Sequence, residues 1–158
     1  SAVAVSAAIA SLISSDPSAT FADRVQLALE AAENAARPHI STCSEEIQRE
    51  YERYMNAAAS LKDLILGDNK TMGYTFKALG AGFWALREAR TESFDHIISL
   101  ITLEGGDADS NAVVAGALVG ALVGFRALPA KWISQLRHTE WLNNKIKSLL
   151  DLYGITSN

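Results

Sequence analysis

Residues 112–125 form an uninterrupted apolar run of 14 residues, rich in glycine and alanine and stopped by Arg126. Few structures accept such a run. It is shorter than the ~20 residues that cross a bilayer, so it predicts a buried, closely packed helix and no membrane partner. Gly116, Gly120 and Gly124, four apart, lie along one side of that helix and would admit a neighbouring helix at close range. The rest of the chain must then supply the cover.

The remaining sequence carries almost only helical periodicity. Residues 1–13 read as an alanine-rich helix, followed by a Ser-Ser-Asp-Pro-Ser connection at residues 14–18. Thr20 caps a second helix, with Asp23 three residues on as its acidic partner and Pro38 at its end. Ile47, Tyr51, Tyr54, Ala58, Leu61 and Ile65 recur at helical intervals and predict one long helix over residues 44–66. Met72, Phe76, Leu79, Phe83 and Leu86 mark the next face, in which Gly80 and Gly82 call for close packing to offset their poor helix preference. Ser93 caps a helix over Phe94, Ile97, Ile98 and Ile101. The β-branched residues there would also suit a strand, but no second strand signal accompanies them. The apolar run closes near Arg126, a short segment runs from Pro129 through Trp132 to Leu136, and a last helix covers residues 139–153 before Gly154. The expected architecture is all-α, an orthogonal assembly of roughly seven or eight helices around residues 112–125.

The apolar run is introduced by Gly105-Gly106-Asp107-Ala108-Asp109-Ser110-Asn111. Asp107 and Asp109 offer anionic oxygens and Ser110 a neutral one, and the paired glycines let the backbone turn tightly enough for all three to converge on a hard cation. The alternative is a plain helix start, with Asp109 or Ser110 as the cap and Asp107 in an ordinary turn. Glu104 could order a metal-bound water or simply end the preceding helix, and Asn111 could bond its own turn or a diphosphate oxygen. Tyr74 and Phe76 could meet a base or form core. His39, His96 and His138 lack ligand spacing, and the single Cys43 has no visible base beside it.

This glycine-aspartate segment, followed by Ala115-Gly116-Ala117, Gly120-Ala121, Gly124, Pro129 and Trp132, resembles the C-terminal metal motif of the ADP-ribosylglycohydrolase family. The family form is Gly-Gly-Asp-Thr-Asp-Thr-Asn-Ala, so Ala108 and Ser110 stand at its two threonine positions. Ser110 keeps the ligand oxygen. Met72-Gly73-Tyr74 to Trp84-Ala85-Leu86 and the alanine-rich start resemble further helices of the family, so the likeness extends over nearly the whole of residues 1–158. The family's other acidic segments, Gly-Asp-Ala-Leu-Gly-like and Thr-Asp-Asp-Thr-like, do not occur. The resemblance therefore implies the C-terminal portion of a single ADP-ribosylglycohydrolase-like domain. An N-terminal fragment or chain is the implied partner that completes it.

For activity, the resemblance implies metal-dependent hydrolysis of a glycosidic bond at the ribose of an ADP-ribose unit. It implies two Mg²⁺ ions, or Mn²⁺ in their place, with Asp107, Asp109 and Ser110 as ligands. No general base is identifiable in this portion. A catalytically inactive ADP-ribose-binding or structural half-domain is the alternative, because the first acidic motif is missing. The net charge of −4 gives no basic footprint for nucleic acid. One cysteine permits no internal disulfide and fits a cytoplasmic, reducing compartment.

Overall fold

The alanine spacing at the start of the chain sets how its first two helices meet. Ala4, Ala8 and Leu12 fall on one face of α1 (Ala2–Ser14), and Val25, Ala28, Ala32 and Ala36 on one face of α2 (Phe21–Ile40), all of them buried in the computed structural model. Side chains this small let the two backbones run close together. Thr20 caps α2 as its sequence predicts, its hydroxyl oxygen accepting from the Asp23 N–H at 3.1 Å. Arg24 then closes α1 from the side, donating to the Leu12 carbonyl and the Ser15 hydroxyl. Pro38 does not end α2. The proline forgoes one backbone bond in the last turn, and the chain still closes that turn through the Ser41 N–H on the Arg37 carbonyl.

The structure describes residues 1–16, 18–56 and 60–155, and its regular elements are all helical among those residues. The single helix expected over residues 44–66 is not formed. α3 covers only Glu45–Met55, and Leu61–Leu64 is a separate 3₁₀ turn capped by Ser60. Ala58, part of the expected face, lies outside the described residues. α3 ends at Met55 with Asn56 as its C-cap, and the Met55 carbonyl accepts from the Arg87 guanidinium at 2.6 Å. Beyond the 3₁₀ turn Ile65 takes left-handed geometry (φ 48°), which turns the chain away from any helical course.

α4 (Thr75–Glu88) holds the centre, a position the apolar periodicity assigns to the later glycine-rich run. Its residues from Phe76 to Leu86 are buried apart from Ala78, and Phe83, Leu79 and Leu86 are fully enclosed. Each such large side chain contributes about 1.5–3 kcal/mol relative to exposure. Both α4 glycines are explained by contact. A Cβ at Gly80 would lie 2.7 Å from Leu64 Cδ2, and one at Gly82 would lie 2.7 Å from Val114 Cγ1. Met72, expected on this face, precedes the helix and is exposed.

α5 (Phe94–Leu103) is a helix as expected, burying Ile97 and Ile101, and delivers the chain to α6 (Ala108–Val123). α6 ends at Gly124 (φ 79°), short of Arg126. Nor is it enclosed. Asn111, Ala115, Leu118, Val119 and Leu122 are buried where α6 packs on α4, α5 and α1, whereas Val113 is 70% exposed and Ala117 is open as well. The expected close-approach role of Gly116, Gly120 and Gly124 is not realised among the described residues. A Cβ at Gly116 would make ordinary contacts, and one at Gly120 or Gly124 would meet nothing within 4 Å.

Two units divide the chain, Ser1–Ala127 and Leu128–Asn158. The second contains α7 (Ala130–Gln135) and α8 (Thr139–Leu152), with Leu142, Ile146 and Leu149 exposed along one side of α8. None of the described helices is long and apolar enough to cross a membrane. The α4–α6 contact gives a direct check. Gly82→Ala should lower stability by about 1–3 kcal/mol, because Val114 must move aside, and this is read from the midpoint of a urea titration.

Candidate metal centre

The candidate ligands stand in the first turn of α6. Asp107 is the helix N-cap, with Asp109 and Ser110 one and two residues inside the helix that begins at Ala108. This is neither of the cap assignments considered from the sequence. The cap residue is Asp107 itself, and its carboxylate makes no cap hydrogen bond, so its oxygens point to no backbone N–H of the helix. Asp107 is half-buried, and Asp109 and Ser110 are exposed.

Electrostatics at this turn favour negative charge. The helix N-terminus presents unpaired N–H groups and the positive end of the helix dipole. Asp109 is held below the ordinary carboxylate range, first by the Ser110 N–H, which donates to Oδ1 at 3.0 Å, and then by the Asp107 carboxyl at hydrogen-bonding range. Two carboxyl groups this close repel when both are ionised, and a divalent cation between them removes that repulsion. The pair thus fits part of a hard-cation shell. It is only part: among the described residues no three His, Cys, Asp or Glu side chains come together as a metal set.

Backbone-to-backbone packing places this turn. Gly106 adopts φ 64°, and a Cβ there would overlap the Leu66 carbonyl oxygen. A Cβ at Gly67 would lie 2.7 Å from the Glu104 carbonyl oxygen, and one at Gly73 would lie 3.7 Å from Asp107 Oδ2. The loop over residues 65–73 therefore lies directly against residues 104–107. Lys77, 3% exposed, pins that loop by donating through Nζ to the carbonyls of Ile65 (2.6 Å) and Asp68 (3.5 Å). Asp68 in turn accepts from the Lys70 N–H and the Thr71 hydroxyl, and these bonds hold its carboxyl below the usual range.

Sequence reasoning missed Lys77 and Gly67. The one available signal was a lysine between Phe76 and Ala78 in an otherwise apolar helical stretch. Other candidates take structural places. Glu104 ends α5. Asn111 is buried, and its Nδ2 has no hydrogen-bond partner among the described residues. Phe76 is core, and Tyr74 donates to Glu50 at 2.5 Å within a cluster that includes Tyr54 and Phe76. Burial and the Glu50 bond together push the Tyr74 phenol well up. His39, His96 and Cys43 are exposed, and His96 faces Glu92 at 3.7 Å.

The ADP-ribosylglycohydrolase family model matches residues 1–157, and the chain belongs to that family. It is 32% identical over 92 residues to the ADP-ribosylarginine hydrolase Tri1 of Serratia proteamaculans, covering 58% of this chain and 25% of that protein. It is 30% identical over 82 residues to the ADP-ribosylarginine hydrolase Tri1 of Pseudomonas putida, covering 52% of this chain and 22% of that protein. The matched stretch thus spans about a quarter of the length of these curated relatives. No solved structure matches the chain.

The glycine contact offers the sharpest test of the site's scaffold. Gly106→Ala should cost more than about 2 kcal/mol, since it combines a left-handed backbone with a clash against a carbonyl that cannot rotate away. A shift of the chemical denaturation midpoint measures it, and an unshifted midpoint would remove this contact from the account.

Proposed function

We propose that residues 1–158 are the C-terminal portion of a single ADP-ribosylglycohydrolase domain, and that the complete domain hydrolyses a glycosidic linkage of ADP-ribose. The observation that carries this reading is the pair of Asp107 and Asp109 carboxyls at the uncapped start of α6, within a chain that belongs to this family. Both named relatives are ADP-ribosylarginine hydrolases, which makes an ADP-ribosylated arginine the first substrate to try.

In this reading Asp107, Asp109 and Ser110 hold one of two Mg²⁺ ions, or Mn²⁺ in its place. When bound, the ions supply positive charge that orients ribose hydroxyls and a water against an oxocarbenium-like transition state. The chain's own contribution is positional. Gly106 brings the turn against Leu66, Lys77 fixes the loop behind it, and the helix N-terminus stabilises the ionised carboxylates. The rest of the ligand set and the general base come from an N-terminal segment, which would also cover Val113, Ala117, Gly120 and Gly124 on α6. Their openness, and relatives four times longer than the matched stretch, support that partner.

Metal binding is the first test. In the completed domain Asp107→Asn or Asp109→Asn should weaken Mg²⁺ at least about tenfold in calorimetry, and Ser110→Ala by less. Unchanged affinity and stoichiometry in both aspartate variants would refute the ligand assignment.

Turnover is the second. The completed domain should release ADP-ribose from ADP-ribosylated arginine in a Mg²⁺-dependent manner, with ADP-ribosylated serine, poly(ADP-ribose) and O-acetyl-ADP-ribose as the comparison panel. A folded, metal-loaded protein inactive on the whole panel would favour the alternative, an ADP-ribose-binding or structural module. That alternative rests on the absence of the family's first acidic motif from residues 1–158.

A further inference from the structure

Lys77 is a costly residue for its position. It is 3% exposed, next to the buried Phe76 and two residues from the enclosed Leu79, where an aliphatic side chain would avoid desolvating an ammonium. Nor does it answer an orphan acceptor. The Ile65 carbonyl that its Nζ reaches at 2.6 Å already accepts from the Asp68 N–H at 3.2 Å. The ammonium adds a charge-assisted bond to a group that the backbone has already paired.

What sets Ile65 apart is its backbone. Its left-handed geometry (φ 48°) is disfavoured for a β-branched residue and persists only where neighbouring contacts impose it. Its own side chain imposes little, because Leu64 and Leu66 are buried on either side and Ile65 between them is 56% exposed. The next carbonyl along, that of Leu66, is the one on which Gly106 packs, and Gly73 at the far end of the same loop lies beside Asp107 Oδ2. The strained residue thus stands one position from the contact that seats the glycine-aspartate turn.

We propose that Lys77 is a positioning residue for the candidate metal centre: its ammonium holds Ile65 in the left-handed conformation, and that conformation sets the Leu66 carbonyl against Gly106 and so places Asp107. The inference rests on the reading of Asp107 and Asp109 as Mg²⁺ ligands. The printed bonds of Lys77 go to the carbonyls of Ile65 and Asp68, so its effect on the carboxylates passes through the loop backbone. Without the ammonium, Ile65 relaxes toward the extended or right-handed regions and the Leu66 carbonyl moves with the chain. Glycine adopts the left-handed conformation without strain, so a glycine at position 65 makes the ammonium dispensable.

Two substitutions in the full-length protein test this, read by Mg²⁺ calorimetry and by hydrogen exchange at the Asp68 amide, which donates to the Ile65 carbonyl. Lys77→Met should weaken Mg²⁺ about tenfold and speed that exchange, and the same change in an Ile65→Gly background should recover most of both. Ile65→Gly alone should keep Mg²⁺ affinity within about twofold of the parent. A loss in Lys77→Met that Ile65→Gly does not recover would overturn the proposal, as would unchanged affinity in the folded single variant. Should Lys77→Met unfold, the double variant is expected to fold; a double variant that is also unfolded assigns the lysine to core stability and overturns the proposal. A parent protein that binds no Mg²⁺ would remove the ligand reading itself and this inference with it, whereas the other failures leave that reading standing.

Discussion

The contact on which the candidate centre depends involves no functional side chain at all. Gly106 meets the Leu66 carbonyl and Gly67 meets the Glu104 carbonyl, so two loops touch through their backbones. Neither approach leaves room for a Cβ. Beside that contact lie Gly73, where a Cβ would come 3.7 Å from Asp107 Oδ2, and Lys77, whose Nζ donates to the loop carbonyls. A buried ammonium is costly unless its donors are used, and here the Ile65 and Asp68 carbonyls use them. Lys77 is therefore a structural cation whose effect reaches the carboxylates through the loop it fixes.

The helical class and most element positions were readable because period-3.6 patterning and Thr20 as a cap are local signals. At the end of α3, inside the long helix expected over residues 44–66, lies a contact that no local signal carries. The Met55 carbonyl is taken by Arg87, 32 positions away in the chain. Apolar content also misplaced the centre. α4, with a lysine and an arginine in it, is the buried helix, and the more apolar α6 keeps one side open. Hydrophobicity measures what a helix tolerates, whereas burial depends on which neighbours are present to cover it.

The two glycine sets make the same point from packing. Regular spacing drew attention to Gly116, Gly120 and Gly124, yet the irregular pair Gly80 and Gly82 holds the tight contacts, against Leu64 and Tyr54 on one side and Val114 and Leu118 on the other. At the candidate centre, the residue types Asp107, Asp109 and Ser110 were visible in the sequence, but their roles in the helix start were not. Which of three short polar residues becomes the cap depends on where the preceding glycines let the chain turn, and that is set by Leu66 from another loop.

An N-cap aspartate that withholds its side chain from the helix has a thermodynamic consequence. The Asp107 carboxylate holds none of the first-turn N–H groups of α6, and the acceptor within that turn is Asp109, whose Oδ1 takes the Ser110 N–H, so the turn is held from inside the helix and not from its cap. Side-chain ionisation and helicity become linked quantities, and the end of α6 nearest the carboxylates is the part of the helix whose opening equilibrium follows the charge on Asp109.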